Sequence, residues 1–133
     1  MNNENTLKLK QDFPKLYGGC DDKISLMRFG FAHQDGWFAL IYELSEKLSK
    51  MDPKLEAIQV KEKFGGLRFY TGKTSKEVLD LICEYENKSY KICERCGTTE
   101  DVKLRGGNWL HTFCDKCDNE YKKEQVERWD SKS

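Results

Sequence analysis

The sequence lacks a long apolar run, an excess of charge of either sign and a secretory leader. No stretch is apolar over the roughly 20 residues that a membrane-spanning helix requires, which predicts no membrane span. The N-terminus is polar and rich in amides, unlike a signal peptide. Basic and acidic residues number 23 each, and this balance excludes a bulk electrostatic attraction to DNA, RNA or an anionic membrane.

Catalytic groups are also scarce. The chain has 2 histidines in unrelated contexts, and no nucleophile–base pair, carboxylate dyad or open metal site stands out. The Cys20-Asp21-Asp22 triplet is expected to be a solvated loop, because no histidine is spaced to join it. One enzymatic alternative stays open, a hydrolase site among Asp21, Asp22, His33 and Asp35. The sequence predicts a protein that is not an enzyme.

The cysteines are the most informative residues. The chain has 6 of them and no leader, which indicates metal ligation in a reducing compartment such as the cytoplasm. Four form two C-x-x-C pairs, Cys93 with Cys96 and Cys114 with Cys117, and this spacing is typical of a structural zinc site. Four thiolates at about 2.3 Å complete the tetrahedral shell of one Zn²⁺ and leave no position for water or substrate. The sequence therefore predicts one structural zinc ion.

The residues between the two pairs predict a β-hairpin. Residues 102–105 alternate as a strand does, residues 106–108 have turn chemistry, and residues 109–113 return to the second pair. Gly97 follows the first pair, where a knuckle turn often needs a positive φ. Two alternatives stay open, namely two disulfides and thiols that only pack in a core. A redox C-x-x-C is disfavoured because the βαβ setting of that motif is missing.

The predicted fold class is α+β. Residues 1–91 are expected to form a small domain with a β-hairpin and two main amphipathic helices, and residues 92–133 a zinc ribbon with a C-terminal helix. With 133 residues, of which 38% are hydrophobic, the apolar core must be modest. A bound metal ion would therefore be a useful additional source of stability.

Two helices are predicted in the first half of the chain. Residues 6–12 can form a short helix ended by Pro14, although the alternation of its leucines leaves a strand open. The clearest helix begins near Trp37, with Asp35 as its N-cap, and ends before Pro53. Its buried stripe is expected to comprise Trp37, Leu40, Ile41, Leu44, Leu48 and Met51.

A third helix is predicted from Thr74, which has Glu77 at the capping-box spacing, to about Tyr90. Cys83 is expected to be a small buried side chain within it. The buried stripe of this helix is expected to comprise Val78, Leu79, Ile82 and Tyr85.

A final helix is predicted from Asp115 or Asp118 to about Trp129. Acidic and basic residues alternate along it, so most of its surface is expected to be solvated, with Tyr121, Val126 and Trp129 as the apolar contacts. Trp129 either packs on the ribbon or meets a partner. The same helix can pair with a second copy, which would give a homo-oligomer.

A second β-hairpin is predicted around the turn Phe64-Gly65-Gly66. Ile58 and Val60 alternate with polar residues before this turn, and an alternating strand follows it. The basic-aromatic face of this hairpin is predicted to carry Lys61, Lys63, Arg68 and Tyr70. Such a face can bind a phosphate, a nucleobase or an acidic protein. The alternative is a solvated face whose cations pair with Glu56 and Glu62.

Three stretches are distinctive when taken together: Phe13-Pro14-Lys15-Leu16-Tyr17, Gly30-Phe31 with Asp35-Gly36-Trp37-Phe38, and Val60-Lys61-Glu62-Lys63-Phe64-Gly65-Gly66-Leu67-Arg68-Phe69-Tyr70. With the four-cysteine ribbon, they resemble a group of small, largely uncharacterised phage and prophage proteins. The resemblance covers most of the chain, and the third stretch is its most specific part. It implies a phage origin and the host cytoplasm as location, but no catalytic residues. Members often carry cysteines near Gly30-Phe31, where this chain has Phe29, Phe31 and His33.

The resemblance and the residues together predict an accessory protein that binds a host or phage protein, for example to inhibit host defence. The alternative is a nucleic-acid or small-nucleotide binder that uses the basic-aromatic face and the ribbon residues Lys103, Arg105 and Trp109. The candidate binding residues are Lys61, Lys63, Phe64, Gly65, Gly66, Arg68, Tyr70, Trp109 and Trp129.

Overall fold

The computed structural model describes residues 1–18 and 30–130, with the side chains of the last helix described as far as Arg128. Over this part the chain is α+β, as the sequence predicts. The elements are α1 (Asn3–Asp12), β1 (Phe31–Ala32), α2 (Phe38–Met51), β2 (Ala57–Lys63), β3 (Gly66–Thr71), α3 (Lys76–Lys88), β4 (Val102–Arg105), β5 (His111–Cys114) and α4 (Asp115–Asp130). None of the helices in these ranges has both the length and the apolar composition that a membrane crossing requires.

Two predictions fall outside the described residues. They concern the Cys20-Asp21-Asp22 triplet and the contacts of the Trp129 side chain.

Helix α1 resolves the choice between helix and strand at the start of the chain. The side chain of Asn2 caps it by accepting a hydrogen bond from the Asn5 N–H at 2.7 Å. Leu9 is buried while Leu7 is exposed, which is the result of helical rather than alternating geometry. The helix ends at Asp12, two residues before Pro14, as the proline predicts.

Helix α2 carries the predicted stripe with two differences. Leu40, Ile41, Leu44 and Leu48 are buried, but Met51 is exposed, because the last turn of the helix extends past the core. The prediction that Asp35 caps this helix is wrong, since Trp37 is the N-cap residue of α2 and Gln34 that of the short 3₁₀ turn before it, and neither side chain makes a capping hydrogen bond. The Asp35 carboxylate instead accepts hydrogen bonds from Asn2 and Asn5 and so fixes the start of α1.

Helix α3 begins one residue later than the capping-box prediction. Ser75 is the N-cap and accepts from the Val78 N–H, while the Thr74 hydroxyl donates to Asp52 at 2.9 Å. Two predicted core positions of α3, Leu79 and Cys83, are exposed. The buried stripe consists of Val78, Ile82 and Tyr85, and Leu81 is partly buried beside it. Leu79 and Cys83 each follow a buried residue by one position and so lie on a different side of the helix.

The three-stranded sheet has the order β1-β2-β3, with β1 parallel and β3 antiparallel to β2. Val60 pairs with Phe31 on one side and Phe69 on the other, and all three are buried. An irregularity between Ala57 and Gln59 shifts the alternation, so both Ala57 and Val60 point into the core. Ile58 is consequently exposed, contrary to the prediction.

The backbone N–H groups at the outer edge of β3 donate to side chains of the segment that follows this strand. The Leu67 N–H donates to the Ser89 hydroxyl and the Phe69 N–H donates to the Glu86 carboxylate, both at 2.9 Å. These side chains stand where another strand would otherwise supply carbonyl groups.

The buried side chains form two clusters. The larger lies between α1, α2, α3 and the three-stranded sheet, and the smaller comprises Cys93, Phe113, Cys114 and Cys117 in the ribbon. Hydrogen bonds join the two parts: Trp37 Nε1 donates to the Ile92 carbonyl at 3.0 Å, and the Gly36 N–H donates to the Glu94 carbonyl at 2.6 Å. The division into domains 1–91 and 92–133 stays a prediction, because these contacts do not show whether either part folds alone.

The ribbon is an antiparallel pair, β4 with β5, followed directly by α4. This order agrees with the hairpin predicted between the cysteine pairs. Tyr121 of α4 is half-buried against the ribbon cluster, but Val126 is exposed rather than packed as predicted. The part of α4 beyond its second turn therefore has few apolar contacts among the described side chains.

Candidate metal centre and adjoining surfaces

The four predicted ligands come together at one point. Cys93 and Cys96 lie in the turn that enters the ribbon, Cys114 ends β5 and Cys117 lies in the first turn of α4. Their sulfur atoms lie within 4.8 Å of one another, and those of Cys96 and Cys114 are 3.8 Å apart. Four sulfurs at about 2.3 Å from a central ion would be separated by about 3.8 Å, so the cluster can hold a tetrahedral metal ion.

Local backbone geometry brings each pair into this position. Gly97 has a φ of +85° and its N–H donates to the Cys93 carbonyl at 2.9 Å, which closes the first knuckle as predicted. In the second knuckle the Cys117 N–H points at the Cys114 sulfur, at 3.4 Å. The two knuckles are joined because the Glu94 N–H donates to the Thr112 carbonyl at 2.9 Å.

The thiols need a cation if all four are to ionise. Burial raises the pKa of Cys93, but backbone N–H groups directed at its sulfur outweigh burial and bring the pKa down to about 7. Burial and the neighbouring sulfurs raise the pKa of Cys117. A bound metal ion would compensate the charge of several thiolates at this point. The five cysteines within the described residues are free thiols, which argues against the alternative of two disulfides.

A buried carboxylate supports the ribbon beside the cysteines. Asp118 accepts from Arg105 at 3.2 Å, His111 at 3.1 Å and Lys122 at 3.0 Å. Burial alone would raise the pKa of Asp118, but these partners lower it below its usual range. Arg105 also donates to the Phe113 carbonyl and to Asp115, so its guanidinium is occupied within the ribbon.

A groove lies where the turn of the β2–β3 hairpin meets the turn of the ribbon hairpin. This hairpin–ribbon groove has a volume of about 400 Å³ and is lined by Glu62, Phe64, Gly107, Asn108, Trp109 and Leu110. Phe64 is 64% exposed and Trp109 is 45% exposed. The structure thus brings Phe64 and Trp109, both predicted to bind a partner, to the same groove.

Two hydrogen bonds of Gly65 hold the turn that carries Phe64 in place. The Gly65 N–H donates to the Glu62 carboxylate at 2.7 Å, and the Gly65 carbonyl accepts from the Thr112 hydroxyl at 2.6 Å. A methyl group at position 65 would lie 2.4 Å from Leu104 Cδ1, and the φ of +84° would strain any other residue at this position. Gly65 thus lies at the contact between the hairpin turn and the ribbon, and its role in binding stays a prediction.

Phe64 occupies a backbone conformation that aromatic residues rarely adopt. Its φ is +56° and that of Gly65 is +84°, positive values at both central positions, as a type I′ turn requires. Glycine and asparagine tolerate this conformation, whereas a bulky residue is strained in it. The strained backbone thus belongs to a residue whose side chain is mostly exposed.

The basic-aromatic face forms as predicted. Lys61 pairs with Arg68 across the strands and Lys63 with Gly66, so Lys61, Lys63 and Arg68 lie opposite the buried face of Val60. The proposed pairing of these cations with Glu56 and Glu62 is wrong within the described residues, where no ion pair joins them. The Glu62 carboxylate turns instead toward the Gly65 N–H.

The residues of the hydrolase alternative are only partly described. His33 is buried between Phe31 and Trp37, and its Nδ1 lies 2.7 Å from the Gln34 carbonyl. Asp35 is exposed, and its carboxylate accepts hydrogen bonds from Asn2 and Asn5 at the start of helix α1. Asp21 and Asp22 lie outside the described residues.

Sequence reasoning missed two residues near these surfaces. Tyr90 accepts a hydrogen bond from Arg68 at 3.1 Å and so orients its guanidinium. Glu94, inside the first knuckle, is buried, and burial with the nearby charge of Glu62 raises its pKa to about 7. Nothing in the local sequence distinguishes Glu94 from a solvated residue, because its burial results from the docking of the ribbon on the domain.

No family model matches this chain, and no curated protein or solved structure matches it. The resemblance to phage and prophage proteins therefore stays a prediction, and the function is argued from the residues alone.

Proposed function

We propose that this protein is a zinc-stabilised, non-catalytic binding module that docks on a protein partner through the hairpin–ribbon groove. The observation that carries the proposal is Phe64, a largely exposed aromatic residue kept in a strained conformation beside the exposed Trp109. The resemblance to phage proteins suggests a host or phage protein as the partner, such as a component of host defence.

Zinc is the metal that fits the four sulfurs best. A closed set of four thiolates in two knuckles selects a soft, tetrahedral ion, and Zn²⁺ is the usual occupant of such structural sites. Cys93, Cys96, Cys114 and Cys117 would hold it and would leave no position for substrate. Thiolate ligands must stay reduced, so the proposal places the protein in a reducing compartment such as the cytoplasm.

The strain at Phe64 favours a role in binding over a role in folding. A bulky residue with this φ costs on the order of 1–3 kcal/mol, and burial does not offset the cost here because the ring is mostly exposed. Asparagine at this position would relieve the strain without removing a core contact. A residue that destabilises the free protein and projects from a rigid turn is typical of a binding anchor.

The chemistry of the groove defines the kind of partner. Phe64 and Trp109 offer aromatic surface, and Glu62 is the ionisable residue of the lining. An apolar side chain flanked by lysine or arginine would therefore complement the groove, whereas phosphate would meet the charge of Glu62. We expect a protein segment of this composition to occupy it.

The test compares Phe64→Asn with a matched exposed residue elsewhere. The wild type, Phe64→Asn, Trp109→Ala and Leu79→Asn are used to capture proteins from nuclease-treated host lysate. Leu79 is 52% exposed on α3 and serves as the control. The affinity of any captured protein is then measured with purified components.

The proposal expects a partner whose affinity falls at least about tenfold with Phe64→Asn and Trp109→Ala but not with Leu79→Asn. Equal binding by all four proteins would refute it. A self-associated dimer that only the groove variants dissociate would also refute it, by assigning the groove to a second copy.

A further inference from the structure

The basic-aromatic face carries an uncompensated arrangement of charge. Lys61 and Arg68 stand directly opposite each other on neighbouring strands, a placement that is unfavourable for two like charges. No carboxylate within the described residues forms an ion pair with Lys61, Lys63 or Arg68. The acidic group that influences Arg68 is Glu86, and its carboxylate accepts from the Phe69 N–H at the sheet edge. An external anion would compensate this face.

The guanidinium of Arg68 is held in place before any ligand arrives. Its Nη1 donates to the Leu67 carbonyl at 2.9 Å and its Nη2 donates to the Tyr90 hydroxyl at 3.1 Å. It lies over Gly66, where a methyl group would be 2.9 Å from Nη1 and 2.3 Å from the Tyr90 hydroxyl. Because the side chain is already ordered, it loses little conformational entropy on binding an anion.

An aromatic ring lies next to these cations. Tyr70 is 41% exposed and follows Arg68 at the next outward position of β3, opposite Gln59. Cations beside an exposed ring on an open sheet are the combination that binds a phosphate backbone and stacks a base. We propose that the basic-aromatic face binds single-stranded nucleic acid, with Lys61, Lys63 and Arg68 on the phosphates and Tyr70 against a base.

The geometry distinguishes this face from the rest of the molecule. In the ribbon, Arg105 forms ion pairs with Asp115 and Asp118, and Arg95 forms one with Glu124, whereas no described carboxylate forms an ion pair with Arg68. The chain has no net charge, so the face is expected to bind a short single strand rather than a duplex. This inference does not depend on protein docking at the hairpin–ribbon groove.

The experiment measures the fluorescence anisotropy of a labelled oligothymidine of about twelve nucleotides with the full chain, a length within the range of single-strand sites. Binding to three phosphates is expected to weaken about twentyfold between about 50 and about 200 mM salt. Arg68→Gln and Tyr70→Ala are each expected to lower the affinity about tenfold, whereas Tyr70→Phe should retain it.

Lys50→Gln, on the exposed face of α2, removes the same charge as Arg68→Gln and is the matched control. Unchanged affinity in this control supports the assignment. Equal loss in the control and in Arg68→Gln, or no binding at low salt, would overturn it. Displacement of the oligonucleotide by inorganic triphosphate at equal phosphate concentration would also overturn it, because that result would mean a site for free phosphate.

Discussion

The two buried clusters of this protein are stabilised by different means. Between the helices and the three-stranded sheet, 18 buried hydrophobic side chains of the described residues pack together. In the ribbon the corresponding cluster has 4 members, and three of them are cysteines. The first region can be stable through burial of apolar surface, whereas the second buries little apolar surface, and the metal ion that its four cysteines can hold would add to its stability.

The two regions are nevertheless joined by close backbone approaches. A methyl group on Gly65 would lie 2.4 Å from Leu104 Cδ1 and 3.4 Å from the His111 backbone nitrogen, and one on Gly36 would lie 2.0 Å from the Cys93 carbonyl oxygen. These glycines allow the ribbon to dock without intervening side chains. The comparison therefore predicts that destabilising changes will affect the two regions differently. The contacts at Gly36 and Gly65 are where one region can influence the other.

The largest effect is expected from metal removal. Structural zinc contributes on the order of 10 kcal/mol to the folding of small ribbons, so a chelator or Cys114→Ser should unfold β4 and β5 while α2 stays folded. Hydrogen exchange measured by mass spectrometry would show lost protection in the ribbon alone. Cys83→Ser is the control, since Cys83 is exposed and outside the cluster. Ribbon amides that stay protected without metal would contradict the comparison.

The converse change is Leu44→Ala in the larger cluster. Leu44 is fully buried, and its truncation should lower the free energy of unfolding by about 3 kcal/mol. Urea denaturation followed by circular dichroism would measure this change, with the exposed Met51→Ala expected to have little effect. The variant should still bind one zinc ion per chain. Loss of zinc in native Leu44→Ala protein would mean that the two regions are not energetically separate.

A pH effect of similar size is expected from His33. Burial, with the positively charged Met1 amino group nearby, lowers the pKa of His33 to about 4, although the Gln34 carbonyl and Asp35 act in the opposite direction. The unfolded chain takes up this proton near pH 6.5 and the folded chain near pH 4. Stability should therefore fall by about 3 kcal/mol as the pH drops between these values, and level off below them.

The control for this prediction is His33→Asn, which keeps a donor toward the Gln34 carbonyl but does not titrate. Acid would also protonate the cysteine ligands of the proposed zinc ion and release it, and this contribution would be common to both proteins. The difference between the two unfolding curves thus isolates His33. Parallel curves would show that burial of this imidazole does not govern the acid response.

The smallest predicted effect is a gain. Phe64→Asn should raise the free energy of unfolding by about 1 kcal/mol, because asparagine before Gly65 suits a type I′ turn and Phe64 contributes no core contact. Thermal unfolding would measure the gain, and Phe64→Ala, which keeps the strain of the positive φ, is the control. A loss of stability in Phe64→Asn would show that the exposed ring supports the contact between the β2–β3 turn and the ribbon.

The sequence was sufficient to predict the elements with strong local signals. The spacing of the cysteines predicts their convergence, and the alternation on either side of Phe64-Gly65-Gly66 predicts the hairpin and its face. Helix α2 follows from the three- and four-residue spacing of its leucines. In these cases one local pattern agrees with the tertiary environment.

The errors occurred where the tertiary environment decides. Asp35 has the residue type of a cap but binds a helix that is distant in sequence. Leu79 and Cys83 are apolar, yet nothing packs over their side of α3 within the described residues. Arg105 forms ion pairs with carboxylates, whereas Arg68 donates to the Tyr90 hydroxyl and forms no ion pair within the described residues. This difference depends on which carboxylates the fold brings near, and no local sequence pattern encodes it.

The hydrogen bonds that cover the outer edge of β3 have a consequence for association. An uncovered edge strand can recruit strands from other chains, which is a common route to aggregation. Here the Leu67 and Phe69 amides are already used by Ser89 and Glu86, so a foreign strand would have to displace both side chains. The β3 edge of the sheet is thus closed to further strands, and the open face beside it can stay accessible to ligands without exposing these amides.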